Sequence, residues 1–298
     1  MASTITEFFG YSPQDRSPTA RHARNSRECP FLKKQCVKKL HGGDPSGVCT
    51  LKPVSAGPVI CCPVRLYAGE YQILRDVSLQ AFGRELPLVA GSDVPGFRLN
   101  EPGKEFAAAF GKGWGKELRL PNRSKQGGYY VDWILAHVDA GGSLISFVAI
   151  EVQSIDISNN YRAERLAHLD EIPFGGTSPA GLNWENVHKR ILSQLIFKGN
   201  VLRREPLCQK GLFFICPTPV YEKMDERLGG KMEEIHMHSG SITFMWYDLG
   251  PEVPAGQIRQ IQLEGQSTTT VEQVINAFTS PSNLPPPRVY EKAIRHEL

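Results

Sequence analysis

Two apolar runs, YYVDWILAHV at 129–138 and SLISFVAIEV at 143–152, stand on either side of Asp139-Ala140-Gly141-Gly142. Their alternation and β-rich composition predict two strands, and the glycine pair predicts a tight hairpin between them. A hairpin fixes register, and register decides which side chains share a face. With Gly141-Gly142 as a two-residue turn, residues whose numbers sum to 283 face each other, so Asp132 lies opposite Glu151. Their Cβ atoms are then roughly 5 Å apart. Gln153, two residues on, projects from the same face. A four-residue turn would keep that face, whereas a three-residue turn would break the arrangement. Opposed carboxylates in an apolar sheet repel and are poorly solvated, so something positive must compensate. Carboxylates, a backbone carbonyl and waters suit Mg²⁺, which also takes phosphate oxygens. The alternative is that the two acids sit at exposed strand ends or pair with Arg and Lys elsewhere.

Cysteine supplies the second constraint. Five of the seven, Cys29, Cys36, Cys49, Cys61 and Cys62, fall within 34 residues, while Cys208 and Cys216 stand alone in apolar surroundings. An odd total with no export signal argues against a disulfide framework and for thiolates holding a metal. Four thiolates close a tetrahedral site, and a segment too short to bury much core needs such a staple. Zinc is the default ion for four thiolates, and iron suits them too. The doublet leaves the fourth ligand open. Cys62 is preferred because it precedes Pro63 as Cys29 precedes Pro30, with Cys61 as the alternative. Cys208 and Cys216 read as buried structural thiols.

The net charge is only +3, but residues 1–65 hold ten Lys/Arg against four Asp/Glu. That basic excess could meet phosphates, or form a solvated face. No run approaches the ~18 apolar residues of a membrane span, and the N-terminus has no charged start followed by an apolar stretch. The expectation is a soluble, cytoplasmic protein with no membrane partner.

Beyond the hairpin, EYQILRDVSLQAF from Glu70 has helical apolar spacing, and NWENVHKRILSQLIF predicts a helix capped by Asn183 and ended by Gly199. GLFFICPTPVY and SITFMWYDLG predict further strands, and Thr270-Val-Glu-Gln273 opens a last helix as a capping box. The order predicts an α/β fold, a mixed central sheet flanked by helices, carrying a small N-terminal four-cysteine module. The expected divisions are a polar arm at 1–28, the cysteine module at 29–66, a catalytic domain at 67–280 and a proline-rich strap and tail at 281–298.

An acid in one strand, a hairpin, then acid, apolar and polar residues in the next resembles the core motif of the PD-(D/E)xK nucleases, with Asp132 and Glu151-Val152-Gln153 in the matching places. The usual last residue is lysine; here it is Gln153. A cysteine module ahead of a Glu-x-Gln core resembles the NotI family of type II restriction endonucleases. ECPFLKKQC, GVCTLKP, VICCPVR, IEVQSID, NWENVHKRILSQLIFKGNVLRRE and QKGLFFICPTPVYEK carry that likeness over roughly residues 29–225. The resemblance implies Mg²⁺-dependent hydrolysis of double-stranded DNA at a specific symmetric site by a homodimer, with Asp132, Glu151 and Gln153 catalytic and Asp132 and Glu151 binding the ion. It also implies iron on Cys29, Cys36, Cys49 and Cys62. For Glu70 two readings stand, a further carboxylate near the site or a plain solvent-exposed acid. Base reading would fall to the loop at 111–126 or to His188, Lys189 and Arg190, while His236 and His238 read as structural. Two rivals remain: a DNA-binding protein with a degenerate core, and a nuclease without sequence specificity.

Overall fold

The structure, a computed structural model, describes residues 2–111, 114, 115, 117, 118, 130–230, 232–279 and 286–298. The chain begins with strand β1 (Ser3–Phe8), helix α1 (Pro18–Ser26), the short strands β2 (Glu28–Cys29) and β3 (Lys34–Gln35), then β4 (Val48–Pro53) and β5 (Val59–Ile60). Strands β1, β4 and β5 form one antiparallel sheet, and β2 pairs with β3. The segment 1–28 is expected as an arm because of its polarity, but its described residues, 2–28, are instead built into this unit. Ser17 caps α1 by accepting the Ala20 amide, and Ile5, Phe8 and Ala20 are buried. Composition over a window hid the few apolar positions that anchor the segment.

A 3₁₀ turn at Pro63–Tyr67 leads into α2 (Ala68–Phe82), whose Leu74, Val77 and Ala81 are buried as their spacing predicts. Then follow β6 (Leu88–Ala90), α3 (Val94–Asn100), β7 (Phe106–Gly111), β8 (Trp133–Val138), β9 (Leu144–Val152), β10 (Ile157–Ser158), α4 (Arg162–Leu169) and β11 (Gly181–Leu182). The single turn α5 (Trp184–Asn186) continues through a π-helical segment, Val187–Ile191, into α6 (Leu192–Leu202). The remainder is β12 (Leu212–Pro217), α7 (Thr218–Leu228), β13 (Ser241–Leu249), β14 (Ile261–Thr270), α8 (Val271–Thr279) and α9 (Val289–Glu297).

Among the described residues, seven strands form the central sheet in the order β14-β13-β12-β9-β8-β7-β6. Strand β12 is parallel to both β9 and β13, β6 is parallel to β7, and the other pairs are antiparallel. The expected mixed sheet flanked by helices is therefore present. Strands β6, β7 and β14 had not been expected. FAAAFG is alanine-rich, and IQLEGQSTTT, though it holds Ile261 and three threonines, is largely polar and interrupted by Gly265, so neither reads as an apolar strand.

The hairpin reaches the expected register by a different route. The pairs from Trp133↔Ile150 to His137↔Ser146 all sum to 283, but Val138 pairs with Leu144. The turn is a three-residue loop: the Gly142 amide donates to the Asp139 carbonyl at 3.0 Å, and the Asp139 amide donates to the Ser143 carbonyl at 2.9 Å. Gly142 has φ +88°, the left-handed position this loop demands. The residue lost in the turn is recovered at a bulge where Ile145, 41% exposed, has no cross-strand mate.

The long helix also runs further than expected. Gly199 does not end it, because a Cβ there would lie 2.5 Å from Val271 Cγ2; the glycine lets α6 press against α8. At this same end of α8, the Gln273 amide donates to Thr270 Oγ1 at 2.9 Å, as the capping box predicts. The expected C-terminal strap is corrected in part: residues 289–297 are helical with no buried residue, and the proline-rich stretch at 281–285 lies outside the described residues.

One apolar cluster runs from Phe8, Leu51 and Ile60 into Leu135, Ile150 and Phe213, so the cysteine-bearing unit and the sheet share a core. A buried ion pair pins them. Arg65 donates from Nε to Glu7 Oε2 at 2.8 Å and from Nη2 to Glu7 Oε1 at 2.9 Å, and Nη2 also reaches the Arg259 carbonyl at 2.7 Å. No helix of the described residues is long and apolar enough to cross a membrane.

Gly199→Val should therefore lower stability by about 1–3 kcal/mol through overpacking. Urea unfolding should show much of that loss recovered by adding Val271→Ala; a purely additive double variant would contradict the close approach.

Candidate active site

Strand β9 lies inside the sheet between β8 and β12, and its carboxyl end points the same way as those of β12 and β13. In open α/β sheets that end is where ligands bind. Glu151 lies there, one residue from the strand end and 7% exposed. Asp132 is the residue before β8, one step along the ladder from Trp133↔Ile150, and so across from Glu151. Its Oδ2 accepts the Val152 amide at 2.8 Å, which draws the acid back onto the neighbouring strand. Trp133 sets the end of β8. It is 1% exposed, donates from Nε1 to the Tyr67 hydroxyl at 3.2 Å, and meets the Tyr67 and Tyr71 rings edge-on at 5.6 and 5.3 Å.

Burial pushes the Glu151 carboxyl up to about 7, and the Asp132 charge adds to the shift while Lys198 opposes it. Lys198 Nζ lies 2.5 Å from Glu151 Oε1, whereas Glu151 Oε2 is buried with no hydrogen-bond partner among the described residues. An orphaned carboxylate oxygen beside a second acid is the donor set a hard divalent cation takes. Gln153 follows the strand: its amide donates to the Ile215 carbonyl at 2.9 Å, extending the parallel pairing with β12, and its side chain donates to the Ser154 carbonyl at 3.2 Å. Glu70 is exposed and pairs with Lys33 at 3.2 Å, with no contact to the two acids shown.

Lys198 is the residue that strand reasoning missed, and its signal lay in the helix. Ile191, Leu195, Lys198 and Leu202 repeat at i, i+4, i+7 and i+11, so the lysine occupies a position on the stripe that α6 buries.

In the cysteine unit, Cys29, Cys36, Cys49 and Cys62 line one small gap closed by Phe9, Phe31 and Val48. Cys61 does not line it; its Sγ donates to the Cys49 carbonyl at 3.4 Å. All seven cysteines are buried and unpaired by disulfides. Burial pushes the Cys29 thiol up to about 12 and raises Cys49 and Cys62, and the charges of neighbouring cysteines in the set add to each shift. Burial therefore favours the neutral thiols, and only a bound cation would hold them as thiolates. Among the described residues, no three His, Cys, Asp or Glu side chains already stand in metal-binding array. Cys208 and Cys216 are fully buried, and burial raises both thiols, as structural positions would.

A cleft of about 930 Å³ opens between the two parts of the chain, lined by Lys38, Lys39 and His41 on one side and Asn160, Arg162 and Asn186 on the other. Of the expected base-contacting residues, Arg190 pairs with Asp156 at 3.5 Å and Lys189 with Glu185 at 3.0 Å, while the His188 side chain lies outside the description. Most of the loop at 111–126 does too; Trp114, within it, stacks on Tyr71 at 4.8 Å. His238 Nδ1 accepts the Gly240 amide at 3.0 Å, a structural role, and His236 is exposed.

A family model described as restriction endonuclease NotI matches residues 15–259. The chain belongs to the NotI restriction endonuclease family. As a member it is a DNA-hydrolysing enzyme, with DNA as its substrate. The match spans the cysteine unit, both acids and Lys198. No curated protein matches the chain.

Because Glu151 holds its proton more tightly folded than unfolded, the metal-free protein should lose stability as pH rises from the ordinary glutamate range to about 7. Carboxyl ¹³C titration should place the Glu151 midpoint lower in Asp132→Asn and higher in Lys198→Met. An Asp132→Asn midpoint equal to wild type would show that the two acids do not face each other.

Proposed function

We propose that this family member is a Mg²⁺-dependent type II restriction endonuclease that cuts double-stranded DNA at a specific symmetric site as a homodimer. The observation that carries the proposal is the ladder that sets Asp132 across from Glu151 while leaving Glu151 Oε2 without a partner. Asp132 and Glu151 would hold the cation. Once bound, Mg²⁺ supplies Lewis acidity toward a phosphate oxygen and toward water. Gln153 neither takes nor gives a proton at neutral pH, so its amide orients the attacking water by hydrogen bonding. The buried surroundings of Glu151 exclude competing solvent and strengthen each charge interaction at the phosphate.

Cys29, Cys36, Cys49 and Cys62 are assigned to a structural metal, iron by family likeness and zinc as the alternative that four thiolates also suit. The gap they share, which Cys61 does not line, supports Cys62 as the fourth ligand. The cleft lined by Lys39, His41 and Arg162 gives DNA phosphates a basic wall. A symmetric recognition site calls for two copies related by a two-fold axis.

Digestion of a sequenced plasmid with Mg²⁺ should give discrete fragments with defined ends. A smear would favour a nuclease without sequence specificity, and binding without cutting would favour a degenerate core. Glu151→Ala should abolish cleavage while gel-shift affinity persists; a variant that still cuts would remove Glu151 from the site. Metal analysis should show loss of the structural ion in Cys62→Ser and retention in Cys61→Ser.

A further inference from the structure

Gln153 leaves the cleaving strand without a cation, yet the site has to receive a phosphate next to two carboxylates. Helix α6 brings a positive charge to that place. Lys198 is 13% exposed and stands on the buried stripe of α6, where Ile191, Leu195 and Leu202 are its apolar neighbours in the repeat. A leucine would fit the pattern at no desolvation cost, whereas withdrawing an ammonium from water is costly.

The same molecule shows how it builds a buried ion pair for structure. Arg65 grips Glu7 with two parallel hydrogen bonds, Thr50 Oγ1 donates to Glu7 Oε2, and both carboxylate oxygens are satisfied. The Lys198–Glu151 pair differs at each point. It is a single contact to Oε1 through a flexible point charge, and it leaves Glu151 Oε2 unpartnered. It also lies at the carboxyl end of β9, next to Asp132, where the Arg65 pair lies between the cysteine unit and the Arg259 carbonyl. Arg65 Nη1 and Glu164 Oε2 are buried without partners too, so what sets the Lys198 pair apart is its place beside Asp132 at the substrate's door.

Resting on the nuclease reading above, we propose that Lys198 is the catalytic cation of this site, delivered from helix α6 in place of a charge from position 153. On DNA binding its ammonium contacts a non-bridging oxygen of the scissile phosphate and stabilises the negative charge that builds there. In the step itself, the water oxygen forms a bond to phosphorus and the bond to the leaving deoxyribose oxygen breaks, its electron pair staying with that oxygen. The water releases one proton to solvent and the leaving oxygen takes one up. Lys198 remains an ammonium throughout. Its contact with Glu151 is the resting position from which it turns to the phosphate.

The test compares full-length wild type, Lys198→Met and the double variant Gln153→Lys/Lys198→Met on a plasmid fragment that wild type cuts. Three quantities are read: single-turnover cleavage with Mg²⁺, DNA affinity without divalent ion, and Mn²⁺ affinity of the DNA-free protein by calorimetry. Lys198→Met should slow cleavage by about 100-fold or more, the scale of removing one stabiliser of developing charge. Its DNA affinity should be retained, and Mn²⁺ should bind more tightly because the competing ammonium is gone from Glu151. The double variant should recover cleavage well above Lys198→Met, since a cation again reaches the phosphate.

Lys198→Met cutting as fast as wild type would overturn the assignment, and the nuclease reading would still stand if Glu151→Ala were inactive. Parallel losses of cleavage, DNA affinity and thermal stability, with weaker Mn²⁺ binding and no recovery in the double variant, would also overturn it and leave Lys198 a structural pair. A wild type that cuts no DNA would instead remove the reading on which the assignment rests.

Discussion

The ladder between β8 and β9 is the constraint on which the candidate site depends. Side chains alternate with period two, so a slip of one residue would move Asp132 to the opposite face from Glu151. Five consecutive pairs, from Trp133↔Ile150 to His137↔Ser146, hold that register inside a seven-stranded sheet. Trp133, wedged against Tyr67 and Tyr71, stops the end of β8 from fraying just where Asp132 leaves it. The acid pair is thus positioned by core packing, while Lys198 of helix α6 supplies the positive charge beside Glu151.

The cysteine unit is joined to this site by a short covalent path. Cys62 immediately precedes the 3₁₀ turn that contains Arg65 and ends at Tyr67. Arg65 ties that turn to Glu7 and to the Arg259 carbonyl, and Tyr67 accepts from Trp133. The unit therefore does more than close a small loop-rich segment: its last cysteine sits at one end of a turn whose other end braces the strand that carries Asp132.

Much of this was legible in the sequence because it depended on period and on side-chain chemistry. The placing of Asp132 across from Glu151 follows from alternation, and the start of α8 from its capping box. What escaped did so for physical reasons. Lys198 reads as an ordinary surface lysine until the stripe of α6 is traced through Gly199, which looks like a stop and is a packing contact. Strand β7 is written in alanines, whose burial is decided by the neighbours they pair with. The segment at 1–28 hid Ile5 and Phe8 among polar residues, and pairing with β4 is what makes it a strand.

The hairpin turn reached the expected register through two departures that cancel. A three-residue loop shifts the pairing by one, and the Ile145 bulge shifts it back. Removing a loop residue would still let Asp139 pair with Ser143, and removing Ile145 would only straighten the ladder, so the acids owe their alignment to the pairs beyond the bulge and the exposed tip is free to vary in length.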